Sequence, residues 1–275
     1  MNEVTCRACG ASALTTVLSL GETPLANALL TAEQLSQPEP FYPLTLAFCG
    51  NCALVQIIEQ IPPEQLFREY YYFSSFSDTM LAHVKALTEE LIETRGLTND
   101  SLVVEIASND GYLLQYYQQQ FIPVLGIEPA INIARVAEER GIRTISEFFG
   151  KELALQLHQQ GLQADVIHAH NVLAHVPDLN GVAAGIGVLL KPSGVAVIEV
   201  PYCKFMLDQV EFDTIYHEHL CYFTLTALDR LFRRHQLVIT DVKTVPVHGG
   251  SLRIFVQHAE QAVVSDAVTA MLAEE

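Results

Sequence analysis

Residues 102–111 read LVVEIASNDG, an apolar run that is interrupted by Glu105 and ends in a polar turn with a glycine. Such a run, followed at once by a helix-length segment, is typical of the first strand and loop of a doubly wound sheet. Ligands bind such sheets at the carboxyl ends of the strands. We therefore predict a strand over 102–107 and a ligand-binding loop directly after it.

The same pattern of a strand followed by a helix repeats along the chain after residue 96. Buried β-branched runs that alternate with segments of helix length predict parallel strands. The last two strand candidates are separated by His248-Gly249-Gly250, which indicates an antiparallel hairpin. The fold class is therefore α/β, a doubly wound and mostly parallel sheet with an antiparallel edge hairpin. The predicted strands are 102–107, 124–127, 143–145, 165–170, 194–200, 237–245 and 251–257.

Polar residues follow the first two predicted strands. A carboxylate at the end of the second strand, Glu128, can accept both hydroxyls of a ribose. The motif G-x-G-x-x-G is absent from the first loop, which argues against NAD and for an adenosyl ligand without phosphate. Alternatively, Gly111 only caps a helix and Glu128 is a solvated loop charge. The predicted cofactor residues here are Glu105, Ser108, Asn109, Asp110, Gly111 and Glu128.

Four of the six cysteines form two C-x-x-C pairs, Cys6/Cys9 and Cys49/Cys52. Each pair can turn two thiolates toward one point, and four thiolates suit a tetrahedral zinc ion. Because four protein ligands leave no open position, the metal would be structural. The alternatives are a redox C-x-x-C motif and buried free thiols.

The composition excludes several classes of partner. The chain has 32 acidic against 15 basic residues, a net charge of −17, which disfavours nucleic acid and anionic lipid. No apolar run approaches the roughly 20 residues that span a bilayer. The N-terminus also lacks the features of a secretory signal, so we expect a cytoplasmic protein.

Two further groups of residues lie at loops over the same sheet edge. Asn171 and His175 follow the strand 165–170 and can reach a ligand, although His175 can equally cap a turn. The motif Tyr216-His217-Glu218-His219 favours proton transfer over metal binding, because its two histidines would lie on opposite faces of a helix. The alternative is a loop that packs residues 221–223 under the sheet.

Three consecutive tyrosines, residues 70–72, precede a predicted helix over 80–95 that Gly96 ends. They cannot all bury their hydroxyl groups without partners. We therefore expect Tyr70 or Tyr72 to face a polar cleft.

These motifs, in this order, resemble those of the C-methyltransferases of deoxysugar biosynthesis, which are class I S-adenosylmethionine-dependent methyltransferases. The resemblance implies a zinc-binding module (1–60), a connector (61–95), a methyltransferase domain (96–258) and the start of a truncated C-terminal region (259–275). It is carried by Cys6, Cys9, Cys49 and Cys52, by Tyr70 to Ser75, Glu105 to Gly111, Asn171 to Asp178 and Tyr216 to His219, and by His248 to Arg253.

The resemblance further implies S-adenosylmethionine and structural Zn²⁺ as cofactors. The substrate would be a nucleotide-linked 4-keto deoxysugar, which is methylated at C3 through an enolate. The alternatives are an O- or N-methyltransferase acting on another small molecule, and a non-catalytic zinc-containing binding module. The sequence does not predict the oligomeric state.

The same resemblance suggests roles for individual residues. It implies that His219 removes the proton, and we expect this base to titrate near neutral pH, as histidine ordinarily does. Its main rival is His175, which could instead stabilise the enolate oxygen. Glu218 would orient or polarise groups, and Tyr216, Tyr70 or Tyr72 would donate to that oxygen. We expect His248 and Arg253 to contact the substrate.

Overall fold

The computed structural model describes residues 4–275, which form eleven strands and nine α-helices. The strands are β1 (Leu14–Thr23), β2 (Tyr42–Cys49), β3 (Val55–Ile57), β4 (Val103–Ile106), β5 (Val124–Ile127), β6 (Thr144–Ile145), β7 (Ala164–His170), β8 (Leu190–Pro201), β9 (Cys221–Tyr222), β10 (Leu237–Val245) and β11 (Ser251–His258). The helices are α1 (Pro63–Phe67), α2 (Asp78–Arg95), α3 (Leu114–Gln118), α4 (Ile131–Glu139), α5 (Lys151–Gln159), α6 (Leu179–Leu189), α7 (Cys203–Gln209), α8 (Leu225–Arg233) and α9 (Asp266–Glu274).

Seven strands form the central sheet in the order β10-β11-β8-β7-β4-β5-β6. Strands β6, β5, β4, β7 and β8 are parallel, and β11 pairs antiparallel with both β8 and β10. This confirms the predicted mostly parallel sheet with an antiparallel edge hairpin. The strand order reverses between β4 and β7, and such a crossing point is where doubly wound sheets bind ligands.

The sheet is buried on both faces, as a parallel sheet requires. Successive residues of β4 point to opposite faces of the sheet. Val103 belongs to the apolar cluster with residues of α2 and α3, and Val104 belongs to the cluster with residues of α5, α6 and α8. The period of two along the strand therefore explains why both residues of this pair are apolar.

Helix α2 begins and ends at residues whose chemistry favours helix termini. The side chain of Ser77 accepts a hydrogen bond from the Met80 amide, and Gly96 adopts the left-handed conformation (φ +59°) at the other end. The helix buries Val84, Leu87 and Leu91 against the sheet. The predicted helix end at Gly96 is confirmed.

A second sheet has the strand order β1-β2-β3-β9. The first 60 residues contain frequent glycines and prolines, yet β1 has 10 residues. Two irregularities in its pairing with β2, between Thr16 and Leu18 and between Ser19 and Glu22, let the strand continue past Gly21. Strand β9 forms one edge of this sheet by pairing with β3. Residues on both sides of the predicted boundary at residue 60 therefore belong to one sheet.

The segment after β11 is not one continuous helix. A 3₁₀ turn (Ala259–Gln261) is followed by extended residues, and α9 begins only after Ser265. The Ser265 amide donates to the Thr240 carbonyl and its hydroxyl donates to Asp241, which ties this residue to β10 and interrupts the helix. None of the helices within residues 4–275 is long and apolar enough to cross a membrane.

Candidate active site and metal centre

A cavity of about 1280 Å³ opens at the carboxyl ends of β4, β5, β7 and β8. The predicted site residues on its wall are Tyr70, Tyr72, Asn109, Glu128, Asn171, His175, Tyr216, Glu218, His219 and His248. The predicted residues that do not line it are Glu105, Ser108, Asp110, Gly111 and Arg253. Most of the expected constellation therefore meets at one place.

Glu128 lies at the end of β5 and is 6% exposed. One carboxylate oxygen accepts a hydrogen bond from the Asn109 amide (2.9 Å) and the other from the Ala130 amide (2.8 Å). Burial raises the pKa of this carboxyl group, and the two hydrogen bonds oppose that rise. Each oxygen has a second lone pair, so the carboxylate can still accept a ligand hydroxyl.

Close approach between β4 and β5 depends on a glycine. A Cβ atom at Gly126 would lie 2.4 Å from Ser108 Oγ, so no other residue fits there without movement. Ser108 is itself fully buried, and its hydroxyl has no hydrogen-bond partner among the described residues. The Ser108 side chain therefore lies next to Gly126 of β5 and does not line the cavity.

Two acids behind the cavity wall have different surroundings. Glu105 is 1% exposed, and neither of its carboxylate oxygens has a hydrogen-bond partner within residues 4–275. Burial, together with the charges of Glu128 and Asp110, raises its pKa well above the usual value. Asp110 instead pairs with Arg140 (2.9 Å) and accepts a hydrogen bond from Ser75 Oγ (2.5 Å). These contacts stabilise the loop after β4 on the side away from the cavity.

The tyrosine segment is fixed onto this loop by Asn109. Its side-chain oxygen accepts from the Ser74 amide (2.9 Å), and its side-chain nitrogen donates to the Tyr72 carbonyl (3.0 Å). Tyr70, Tyr71 and Tyr72 all line the cavity, and the most exposed of them, Tyr71, is 76% exposed. Burial raises the pKa of Tyr70 to about 12, so its hydroxyl keeps its proton and can donate.

The protonation of His219 follows from its two neighbours. Its Nδ1 lies 2.9 Å from the Thr214 carbonyl, which can only accept, so Nδ1 carries the proton. Its Nε2 then accepts from the Tyr216 hydroxyl at 2.9 Å. Burial lowers the pKa of His219 to about 4, which corrects the expectation of a group that titrates near neutral pH. The ring is neutral at physiological pH, with an unprotonated Nε2 at the cavity.

His175 stands beside His219, with ring centroids 4.9 Å apart. Its Nδ1 donates to the Glu218 carbonyl at 2.9 Å, and burial lowers its pKa to about 3. Its Nε2 is therefore also unprotonated. In this tautomer His175 can accept a proton but cannot donate to an enolate oxygen.

Glu218 is 5% exposed, and one of its carboxylate oxygens accepts a hydrogen bond from Asn27 Nδ2 at 2.7 Å. The other oxygen is buried without a hydrogen-bond partner among the described residues. Burial raises the pKa of Glu218 above its ordinary value. Asn27 was missed by sequence reasoning, since nothing local marks an exposed loop residue far upstream as a neighbour of this motif.

The remaining histidine of the motif faces the other way. His217 is 1% exposed, does not line the cavity, and donates from Nε2 to the Pro43 carbonyl (2.9 Å) in β2. The motif is therefore split: Tyr216, Glu218 and His219 face the cavity, and His217 faces the second sheet.

The structure does not bring Arg253 to the cavity. It is 7% exposed and its Nε donates to Glu199 at 2.5 Å. Burial opposes ionisation of Glu199, but His170, His83 and Arg253 together hold its pKa below the ordinary value. This cluster was also missed, although an acid within the apolar strand 195–200 is a signal for a buried partner. His248, by contrast, lies exposed at the rim.

The four paired cysteines meet at one point, as predicted. Their sulfur atoms all lie within 4.8 Å of one another, with 3.4 Å between Cys6 and Cys52 and 3.6 Å between Cys9 and Cys49. Zinc–sulfur bonds of about 2.3 Å in a tetrahedron place sulfur atoms roughly 3.8 Å apart. The cluster therefore fits a structural zinc ion, which all four thiolates would hold.

We expect one zinc ion per chain in protein purified reduced and without chelator. Loss of the ion should unfold the β1-β2-β3-β9 sheet, because the zinc–thiolate bonds contribute folding free energy that is lost with the ion. Metal analysis gives the stoichiometry, and circular dichroism during chelator titration follows the sheet. Protein with its fold intact and no bound zinc would contradict this expectation.

Comparison with known proteins agrees with this geometry. A family model described as "Putative zinc binding domain" matches residues 6–67, and one described as "Methyltransferase domain" matches residues 80–242. The C-methyltransferase NovU of Streptomyces niveus is 39% identical over 271 residues, which are 98% of this chain. This chain spans 64% of the length of NovU.

Two solved structures share the fold. A S-adenosylmethionine-dependent methyltransferase from Clostridium acetobutylicum superposes with a TM-score of 0.51 at 15% identity, over 71% of this chain and 96% of that one. Magnesium protoporphyrin IX methyltransferase from Synechocystis, with bound SAH, gives a TM-score of 0.50 at 12% identity, over 65% and 83% of the two chains. With the methyltransferase model matching more than half of its residues, the chain belongs to the methyltransferase-domain family.

Proposed function

We propose that the protein transfers a methyl group from S-adenosylmethionine to C3 of a nucleotide-linked 4-keto deoxysugar. The observation that carries the proposal is the neutral His219, whose unprotonated Nε2 lies at the cavity and accepts a hydrogen bond from the Tyr216 hydroxyl. Methylation at carbon, unlike methylation at oxygen or nitrogen, needs a base that removes a carbon-bound proton. The likeness to NovU, named a C-methyltransferase, supports the same reaction class.

The chain's own residues suit the cofactor. Glu128 offers a carboxylate for ribose hydroxyls, and Asn171 Oδ1 is buried at the cavity without a hydrogen-bond partner among the described residues. The loop has no glycine nest for a pyrophosphate, which suits a ligand without phosphate. When bound, S-adenosylmethionine supplies the electrophilic methyl group.

The substrate's ketone at C4 makes the proton on C3 acidic. His219 Nε2 accepts that proton, and Nδ1 stays bonded to the Thr214 carbonyl, which fixes the ring. Burial raises the pKa of Tyr70 and Tyr216, so both hydroxyl groups keep their protons, and Tyr70 can donate to the enolate oxygen. The Tyr216 hydroxyl donates to His219 Nε2 before substrate binds, and it turns toward the enolate oxygen to leave that nitrogen free for the C3 proton. His175 is the rival base, because its Nε2 is also unprotonated.

The experiment incubates the protein with methyl-labelled S-adenosylmethionine and a nucleotide-linked 4-keto sugar, and locates the label by NMR and mass spectrometry. We expect the label on C3. Label on oxygen or nitrogen would replace the proposal by another methyltransferase activity. Cofactor binding without transfer to any keto sugar tested would favour a non-catalytic binding module.

The lowered pKa values of His219 and His175 predict a pH dependence of stability. Both rings are neutral in the folded protein, whereas in the unfolded chain they bind protons as the pH falls through about 6.5. The unfolded state then holds more protons, so the free energy of unfolding should fall between about pH 6.5 and pH 4.

Urea unfolding at a series of pH values tests this dependence. The His175→Gln variant should lose less stability than the wild type over the same pH range, because one buried ring no longer titrates. Equal pH dependence in the two proteins would contradict the assignment.

A further inference from the structure

Three contacts join the loop of residues 216–220 to the N-terminal residues of the chain. His217 Nε2 donates to the Pro43 carbonyl (2.9 Å), and Asn27 Nδ2 donates to Glu218 (2.7 Å). The amide of Ile57, at the end of β3, donates to the Leu220 carbonyl (3.0 Å). Two of these contacts are made by strands β2 and β3, so a sheet outside the seven-stranded one helps to hold the loop.

His217 is the fully buried member of these contacts. Its ring packs edge-on against Tyr42, with centroids 5.9 Å apart and planes at 68°. Its Nδ1 has no hydrogen-bond partner within the part of the chain that the structure describes, so its single hydrogen bond is the one to Pro43. A buried polar ring that keeps only one hydrogen bond depends on that bond for its position.

The orientation of the His217 side chain determines the orientation of the next two side chains, Glu218 and His219. His217 points into the second sheet, while Glu218 and His219 point into the cavity. Because adjacent side chains are linked through one backbone, anchoring His217 fixes the rotation of the peptides that carry Glu218 and His219.

The hydrogen bond between His217 and Pro43 is connected to the cysteine cluster through strand β2. Strand β2 carries Pro43 near one end and ends at Cys49, and β3 begins shortly after Cys52. A metal ion held by these cysteines would therefore keep β2 and β3 in place under the loop.

We propose that His217 is a positioning residue, which fixes the Glu218–His219 segment against the zinc-binding sheet and does not itself touch substrate. This inference deepens the proposed function. Its kinetic test rests on that function, because it measures the rate of the proposed methyl transfer. The hydrogen bond from His217 to Pro43 is then one of the contacts through which the chemistry at the cavity depends on the N-terminal sheet.

The test compares two substitutions of His217. The His217→Leu variant removes the donor, and His217→Gln retains an amide nitrogen that can reach the Pro43 carbonyl. A misplacement of about 1 Å can lower turnover by roughly 100-fold. We therefore expect a fall in kcat of about 10- to 100-fold for His217→Leu, with KM nearly unchanged, and recovery of most of the loss in His217→Gln.

The matched control is His258→Leu, which removes another hydrogen bond from a histidine to a backbone carbonyl, that of Leu190 at 3.2 Å. It should leave kcat unchanged. Zinc content and cofactor affinity should stay at the wild-type level in all three variants. A full kcat in His217→Leu, or a loss that Gln does not restore, would overturn the inference.

A second readout does not depend on the substrate. NMR titration of the His219 ring should give a higher pKa in His217→Leu than in the wild type, because a displaced loop exposes the ring to water. An unchanged His219 titration would overturn the positioning role. If the wild type transfers no methyl group but the titration shifts as expected, the proposed function fails and the positioning role stands.

Discussion

Replacement of His219 by asparagine should lower turnover by roughly 10²- to 10⁴-fold, the usual contribution of a positioned general base. Asparagine keeps a hydrogen-bonding shape but has no nitrogen that can accept a proton. Cofactor binding should survive, since the contacts that Glu128 and Asn109 make do not involve His219. The direct measurement is the exchange of deuterium from water into C3 of the keto sugar, which should stop in this variant.

Two comparisons make this experiment decisive. His158→Asn, an exposed histidine on α5, should exchange deuterium at the wild-type rate. Tyr216→Phe tests the hydroxyl group beside the base: exchange that persists means that Nε2 takes the proton without it, and exchange that stops means that the hydroxyl group is required, as a relay or as a donor to the enolate oxygen. Wild-type exchange in folded His219→Asn would move the base to His175 or elsewhere.

The second large effect is expected on cofactor affinity. Glu128→Ala removes a charged acceptor of two ligand hydroxyl groups, which should cost about 2–4 kcal/mol of binding free energy. Glu128→Gln should cost less, because an amide oxygen still accepts one hydrogen bond. Calorimetry with S-adenosylmethionine measures both variants.

Glu147→Gln provides the matched control, because Glu147 is exposed and does not line the cavity. Its affinity should equal that of the wild type. Since Glu128 also holds the Asn109 amide, thermal unfolding must show that the loss of affinity is not a loss of fold. An unchanged affinity in folded Glu128→Ala would contradict the assignment.

The sequence predicted what depends on local pattern. The apolar run at 102–107 and the polar turn after it gave the first strand and its loop, because alternation and turn chemistry are properties of neighbouring residues. The C-x-x-C spacing likewise gave the cysteine cluster, since two intervening residues bring thiols together in any context.

What the sequence could not predict depends on distant partners. Local pattern treats His217 and His219 alike, but His217 lies against Pro43, 174 residues away in sequence. Local pattern leaves Arg253 available for a substrate contact, but its guanidinium group is paired with Glu199, 54 residues away in sequence. The pKa of His219 was misjudged for the same reason, because its burial comes from the assembled fold.

The pairing of β3 with β9 has a consequence for synthesis on the ribosome. The four cysteines emerge early, so a metal ion can bind while the sheet still has three strands. At translation rates of about 5–20 residues per second, β9 follows on the order of ten seconds or more later. Until then Val55 and Gln56 present an unpaired strand edge, the kind of surface that nascent chains use to pair with one another. A fragment that stops after α2 would keep that edge open permanently, and we expect it to self-associate.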